Sequence, residues 1–200
     1  MGVSKRQAVE NRRAIIDAAT RLFRERGVDG VGLAELMKAA GFTQGGFYNH
    51  FKSKAALVDA VVATAVEDGA GQLAQALAQP LTGDEGVLDR QVDYYLSEGH
   101  RDDIDGGCPV AGLAADVARL DPGAQSHFAE GLDRTFDRLA ALLAPTQPGS
   151  PSRTRAIALY AEMVGALVLS RSVAGADRAL ADEILGQTRR HLLPMVAAKA

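Results

Sequence analysis

One cysteine among 200 residues leaves no partner for an intrachain disulfide and no cysteine-based zinc cluster. Nor do His100, His127 and His191 show spacing to one another or to carboxylates that would build a metal site, so no metal and no cofactor are expected. Tryptophan is absent, no run of 18 apolar residues occurs (the longest patch is Met163 to Leu169), and the first residues lack the apolar centre of a signal peptide. These absences lead to the expectation of a soluble, cytoplasmic protein without a membrane partner. Phosphate-binding loops and dinucleotide motifs are missing too, because Gly45-Gly46 and Gly106-Gly107 have neither the spacing nor a preceding strand. Cys108 and His100 share a loop region with no recognisable nucleophile signature around them, and an enzyme is not expected.

What is present is 47% hydrophobic and rich in alanine and leucine, enough for a sizeable helical core and an all-α chain. The net charge of −3 hides an asymmetry: residues 1–54 carry +5 and the remainder −8. A basic head on an acidic body favours phosphate at one end, with affinity that falls as salt rises because condensed counterions are released. The competing reading is that Arg12, Arg13, Arg21, Arg24 and Arg26 merely solvate the outer side of the first helix. Lys5 and Arg6 stand ahead of that helix, in reach of a duplex as an arm.

The densest signal is LAELMKAAGFTQGGFYNHFKSK, Leu33 to Lys54. Leu33, Leu36, Met37 and Ala40 recur at helical spacing, and Gly41 is the residue type that enters the left-handed conformation needed for an abrupt stop. Thr43 then serves as side-chain N-cap of a second helix, in which Phe47 and Phe51 share one face while Gln44, Tyr48 and Asn49 lie elsewhere. That is the order of a helix-turn-helix, whose second helix enters the major groove by its N-terminal end. Gly45 and Gly46 cost roughly 1 kcal/mol each in helix propensity but let backbone approach a duplex closely; alternatively they only shape a loop.

The longer stretch AVENRRAIIDAATRLFRERGVDGVGLAELMKAAGFTQGGFYNHFKSKAAL resembles the N-terminal DNA-binding domain of TetR-type transcription regulators, most specifically in GGFYNHFKSKAAL. The resemblance implies phosphate contacts for Tyr48, His50 and Lys54, and a base-facing position for Thr43, Gln44 and Gly45. Gly46 stands where the family commonly has a hydroxyl residue or alanine, and Gly32 where it commonly has Thr, which leaves operator sequence unassigned. The same resemblance implies a palindromic double-stranded operator and a homodimer formed by the last two helices, with Gly165 and Ala166 allowing near contact.

The chain is therefore divided into a three-helix DNA-binding domain at 1–52 and a helical regulatory and dimerisation bundle at 53–200. The first helix is expected from about Gln7 to Arg26, burying Ile15, Ala19, Leu22 and Phe23, and a long helix capped by Ser53 presents Leu57, Val58, Val61, Val62, Ala65 and Val66. Further helices are expected at about 86–99, 108–119, 122–144, 152–173 and 177–196, with PTQPGSPS after Ala144 as a loop in which Ser150-Pro151 opens a helix. Ile157, Tyr160, Met163, Val164, Leu167, Val168 and Leu169, followed by Leu180, Ile184, Leu185, Leu192 and Leu193, fit either a monomer core or an intersubunit four-helix seam.

Cys108, in GGCPVAGLAADV, sits just before a helix-start proline, where the positive end of the dipole favours thiolate. The stretch is similar to one in an electrophile-responsive branch of TetR-type repressors, and implies a sensor. The plainer reading is a small buried hydrophobe. A reversible hydrophobic effector is the alternative signal, held between helices by Tyr94, Tyr95, His100, Phe128, Phe136, Tyr160 and Met163, each of which also suits ordinary core.

Overall fold

In the computed structural model, which describes residues 4–80, 86–143 and 151–197, every regular element is helical. The helices are α1 (Lys5–Arg26), α2 (Leu33–Ala39), a 3-10 helix (Gln44–Asn49), α3 (Lys54–Ala78), α4 (Val87–Tyr95), α5 (Glu98–Asp102), α6 (Pro109–Val117), α7 (Pro122–Leu143), α8 (Pro151–Val173) and α9 (Arg178–Ala197).

The head is α1, α2 and the 3-10 helix. Ser4 Oγ accepts the Gln7 N–H at 3.2 Å and starts α1 two residues earlier than expected, so Lys5 and Arg6 lie in its first turn instead of forming an arm. Gly27 closes it at φ 73°, and Gly41 turns the chain after α2 at φ 83°, conformations that side-chain-bearing residues avoid. Ile15, Ala19 and Phe23 are fully buried, while Leu22 is only partly covered.

α3 then passes from head to body without a polar break. Ser53 Oγ caps it by accepting the Ala56 N–H, and its stripe of Leu57, Val58, Val61, Val62, Ala65 and Val66 is buried in one cluster with Phe47 and Phe51 of the head, Leu113 and Val117 of α6 and Phe128 of α7. A second cluster joins α4, α7, α8 and α9 through Leu88, Tyr95, Leu139, Tyr160, Met163, Leu167, Leu185 and Leu192.

The 86–99 segment is two helices, not one: Ser97 Oγ accepts the His100 N–H and donates to the Tyr94 carbonyl, which ends α4 and caps α5. The expected loop and Ser150 cap before α8 lie outside the described residues. Within α8, Ala166 faces the chain's own core, so of the pair expected at a subunit seam only Gly165 lies open. α8 contains an 18-residue window of mean hydropathy 1.5, long and apolar enough by composition to cross a membrane. It packs against α7 and α9, and Ile157, Val168 and Leu169 remain exposed on its outer side beside Leu180 and Met195 of α9.

α3 approaches α7 closely, where a Cβ at Gly131 would stand 2.6 Å from Val66 Cβ. Glycine to alanine inside a helix ordinarily stabilises by about 1 kcal/mol, whereas overpacking costs about 1–3 kcal/mol. Gly131→Ala is therefore expected to lower the urea midpoint at unchanged slope. A raised midpoint would show that the two helices have slack.

Candidate functional site

The second helix of the expected helix-turn-helix, Gln44–Asn49, is 3-10, not α-helical. The Thr43 carbonyl accepts the Gly46 N–H at 3.0 Å while the Thr43 hydroxyl makes no cap bond, so the expected side-chain cap is replaced by a tighter backbone turn. Two adjacent glycines give no α-propensity to oppose it. Phe47 is completely buried and stacks on Phe51 at 5.8 Å, which nails the helix to the head by one face. Thr43, Gln44, Gly45, Tyr48 and Asn49 are exposed, Gly46 and His50 partly so, and Tyr48 is 69% exposed despite its size. A Cβ on Gly45 would meet nothing, and one on Gly46 only ordinary contacts at 3.8 Å and beyond.

Lys54, expected at phosphate, spends two of its three N–H groups within the head. Its Nζ donates to the carbonyls of Val28 and Val31, both at 2.7 Å, and lies 5.9 Å above the Phe23 ring, so it clamps the α1–α2 corner. Other cations are also committed: Arg13 to Asp17 and Asp68, and Arg26 to Glu35. Arg12 stacks over Phe51 at 4.5 Å, next to the reading helix, a placement that helical periodicity does not reveal. Lys5, Arg21, Lys38 and Lys52 are exposed with no ion pair to a described carboxylate.

Behind the head lies a cavity of about 550 Å³ between α3, α4, α6, α7 and α8. Tyr94, Tyr95, His100, Tyr160 and Met163 line it as expected, together with Cys108. Phe128 does not: it belongs to the core shared with the head, and Phe136 stands behind Tyr160, edge-on at 5.9 Å. Gln72 and Gln91, which look like solvated-face residues in sequence, line it too, as does Thr135.

Cys108 is the N-cap of α6 with Pro109 at the first helical position, but its thiol does not cap; Sγ lies 3.5 Å from the Tyr160 hydroxyl. No side chain caps α6; His100 Nε2 instead accepts the Cys108 backbone N–H at 3.0 Å, and the ring's other nitrogen, Nδ1, donates to the Tyr95 carbonyl at 2.8 Å. A backbone N–H can only donate, so the ring is neutral and carries its proton on Nδ1. It bonds the backbone of Cys108 and does not serve the thiol as a base. The Tyr95 hydroxyl is buried without a hydrogen-bond partner, and burial first, then the nearby Cys108 sulfur, push its ionisation well above the usual phenol range. Burial does the same to Tyr160.

Residues 15–61 match the family model for bacterial regulatory proteins, tetR family. Over 54 residues, 27% of this chain, the sequence is 48% identical to the HTH-type transcriptional regulator AcrR of Shigella flexneri, a match that spans 25% of that regulator's length. The likeness to the HTH-type transcriptional repressor NemR of Escherichia coli strain K12 runs through 193 residues at 29% identity, 90% of this chain and 94% of the repressor. The reduced form of E. coli NemR superposes with a TM-score of 0.72 at 25% identity, covering 92% of this chain and 95% of that one. A TetR transcriptional regulator from Chloroflexus aurantiacus reaches 0.78 over 97% of this chain and 98% of its own, at 22% identity, and bears on the fold alone.

His100 makes the cavity wall pH-sensitive. Burial, its largest influence, holds its pKa below the ordinary 6.5. As pH falls below 6.5 the unfolded chain takes up this proton before the folded one, so the histidine's contribution is complete above 6.5 and lost towards its lowered value. Asp102, held down to about 2 by Arg101 and Arg178, acts only in a lower window. Thermal unfolding from pH 7 to pH 5 is expected to show a falling midpoint that His100→Gln flattens; parallel curves for the two proteins would mean that His100 gains its proton freely when folded.

Proposed function

We propose that this chain, which belongs to the tetR family of bacterial regulatory proteins, is a cytoplasmic DNA-binding transcription regulator, acting as a homodimeric repressor released from a palindromic operator by a chemical signal. The observation that carries the reading is the exposed side of the 3-10 helix, Gln44, Tyr48 and Asn49 beside bare Gly45, pinned from behind by Phe47. Gln44 sits at the N-terminal end, where a side-chain amide can make the paired bonds to adenine that a major groove offers. Thr43, Gly45 and Gly46 lie at the same base-facing end, and Tyr48 and His50 flank it toward phosphate. Arg12 and Lys52 add charge on that side, while Lys54 holds the corner. The DNA-binding head is residues 1–52, and the body from 53 onward receives the signal. That the similar NemR is named a repressor supports the sign of regulation.

The outer faces of α8 and α9 supply the twofold partner's surface. Ile157, Val168, Leu169, Leu180 and Met195 are exposed apolar side chains on adjacent helices, and a second copy covers them symmetrically. Twofold pairing sets two reading helices about 34–36 Å apart, or a multiple, as half-sites require.

For the signal, Cys108 is the candidate sensor of an electrophile or oxidant, at a helix start and on the cavity wall. The cavity itself favours a second reading, a reversible hydrophobic effector with Cys108 inert, because 550 Å³ suits a small ligand.

Selection from a random duplex library at low salt is expected to enrich a palindrome, and enrichment of none would remove the assignment. With the enriched duplex, Gln44→Ala is expected to relax base preference at one position per half-site at a cost of about 1–3 kcal/mol, whereas Tyr48→Phe weakens all duplexes alike. Ile157→Glu combined with Leu169→Glu is expected to give a folded monomer by sedimentation that binds half-sites only; a persistent dimer would place the seam elsewhere. Cys108→Ser is expected to keep DNA binding and lose release by iodoacetamide, while release that persists would favour the reversible effector.

A further inference from the structure

The turn that leads into α6 is gripped by two arginines, and one of them belongs to the head. Arg24, in the last turns of α1, donates from Nη1 to the carbonyls of Asp105 and Gly107, the latter at 3.2 Å. Arg171 of α8 donates to the earlier carbonyls of His100, Arg101 and Asp103 at 2.9 to 3.0 Å. The next residue after Gly107 is Cys108, on the cavity wall.

Three features make the Arg24 contact a point of stress. Gly107 has no room on the Arg171 side: a Cβ there would stand 2.4 Å from the Asp103 carbonyl oxygen and 2.8 Å from Arg171 Nη2. The turn is therefore tightly packed on Arg171 and Asp103 at the residue just before Cys108, with Arg24 as its other fastening. Arg24 Nε is buried without a partner, so among the described residues the side chain's hydrogen bonds all come from Nη1, and burial already lowers its pKa from the ordinary value. If the carbonyls withdraw, a half-buried charge is left with no acceptor, which favours movement of the α1 end towards solvent.

That end of α1 controls the reading unit. Just beyond it, the Val28 N–H donates to Asp116 at the far end of α6, and the Val28 and Val31 carbonyls hold Lys54. α2 and the 3-10 helix follow directly.

We propose that Arg24 is the positioning residue that couples the state of the 103–108 turn to the angle of the DNA-reading head. The coupling rests on the reading that the signal arrives at the cavity around Cys108, but it is indifferent to whether the natural signal is covalent.

The test uses the sole cysteine as a handle. The full-length protein is alkylated with N-ethylmaleimide, single occupancy is confirmed by mass, and affinity for the selected duplex is measured with and without the adduct. The wild type is expected to lose about tenfold in affinity, the usual size of an allosteric coupling. Arg24→Met keeps the aliphatic stem beside Gly112 and removes the donors; its unmodified affinity is expected to match the wild type and its adduct effect to fall below about twofold, with Arg24→Lys intermediate. A merely structural role would weaken both forms equally and leave the ratio unchanged, and that result overturns the proposal. So does a wild-type ratio of one, which severs the turn from the head while leaving DNA binding intact. Absence of any preferred duplex instead overturns the functional reading beneath it. Should Arg24→Met fail to fold, amide exchange in the wild type decides: the Val28 N–H, bonded to Asp116, is expected to exchange faster after alkylation, and unchanged protection overturns the coupling.

Discussion

The apolar stripe of α3 is the constraint on which the remaining architecture depends. Leu57, Val58, Val61, Val62, Ala65 and Val66 are shared between the underside of the head and the faces of α6 and α7, in one buried cluster. Fully burying a side chain of the larger kind contributes about 1.5–3 kcal/mol, so peeling the head from the body would expose many times the free energy of an ordinary effector coupling. The head therefore cannot dissociate in response to a signal. It can only be re-aimed, by small shifts of packed helices about a common wall. The proposed boundary at residue 52 is thus a boundary in sequence more than in packing.

Re-aiming needs an input that is cheaper to break than the wall. The 100–108 segment supplies one, because its internal fastening is polar. His100 bonds the start of α6 and the end of α4, and Arg24 and Arg171 hold separate carbonyls of the segment between them. Each such bond has a net worth of about 0.5–1.5 kcal/mol, or about 1.5–3 kcal/mol where a charge is involved, within reach of a small ligand or a covalent adduct. The segment also lies at the cavity edge, so an occupant can touch it without first disturbing the apolar cluster. Strong packing and weak polar fastening are segregated, which lets one region respond while the other keeps its shape.

Much of this was legible in the sequence because it is local. Helical spacing located α1, α3, α7, α8 and α9, and Gly27, Gly41, Ser53 and Pro122 marked ends through conformational rules that need no tertiary partner. The break at Ser97 was not legible, since a serine within an amphipathic pattern reads equally as solvated surface until its hydroxyl is seen capping α5. The 3-10 form of the reading helix escaped for a related reason: Phe47 and Phe51 four apart suggest α-spacing, whereas Phe51 lies beyond the helix end at Asn49. Lys54, Arg24 and Arg171 were the least accessible. A cation's partner is chosen by chain segments distant in sequence, and here each one is spent on backbone carbonyls, which leave no trace in composition.

α8 brings these levels together. Its inner side contributes Tyr160 and Met163 to the cavity, its last turns contribute Arg171 to the turn before Cys108, and its outer side presents Ile157, Val168 and Leu169 to whatever covers it. An apolar face of that kind, in a helix hydrophobic enough to resemble a membrane span, is costly in water and gains most from a rigid, self-complementary partner. With a second copy in place, α8 becomes the stationary element. Arg171 fastens the turn to α8 while Arg24 ties it to the head. Stress at Cys108 would then be resolved at the head, the anchor that the proposed second copy does not hold.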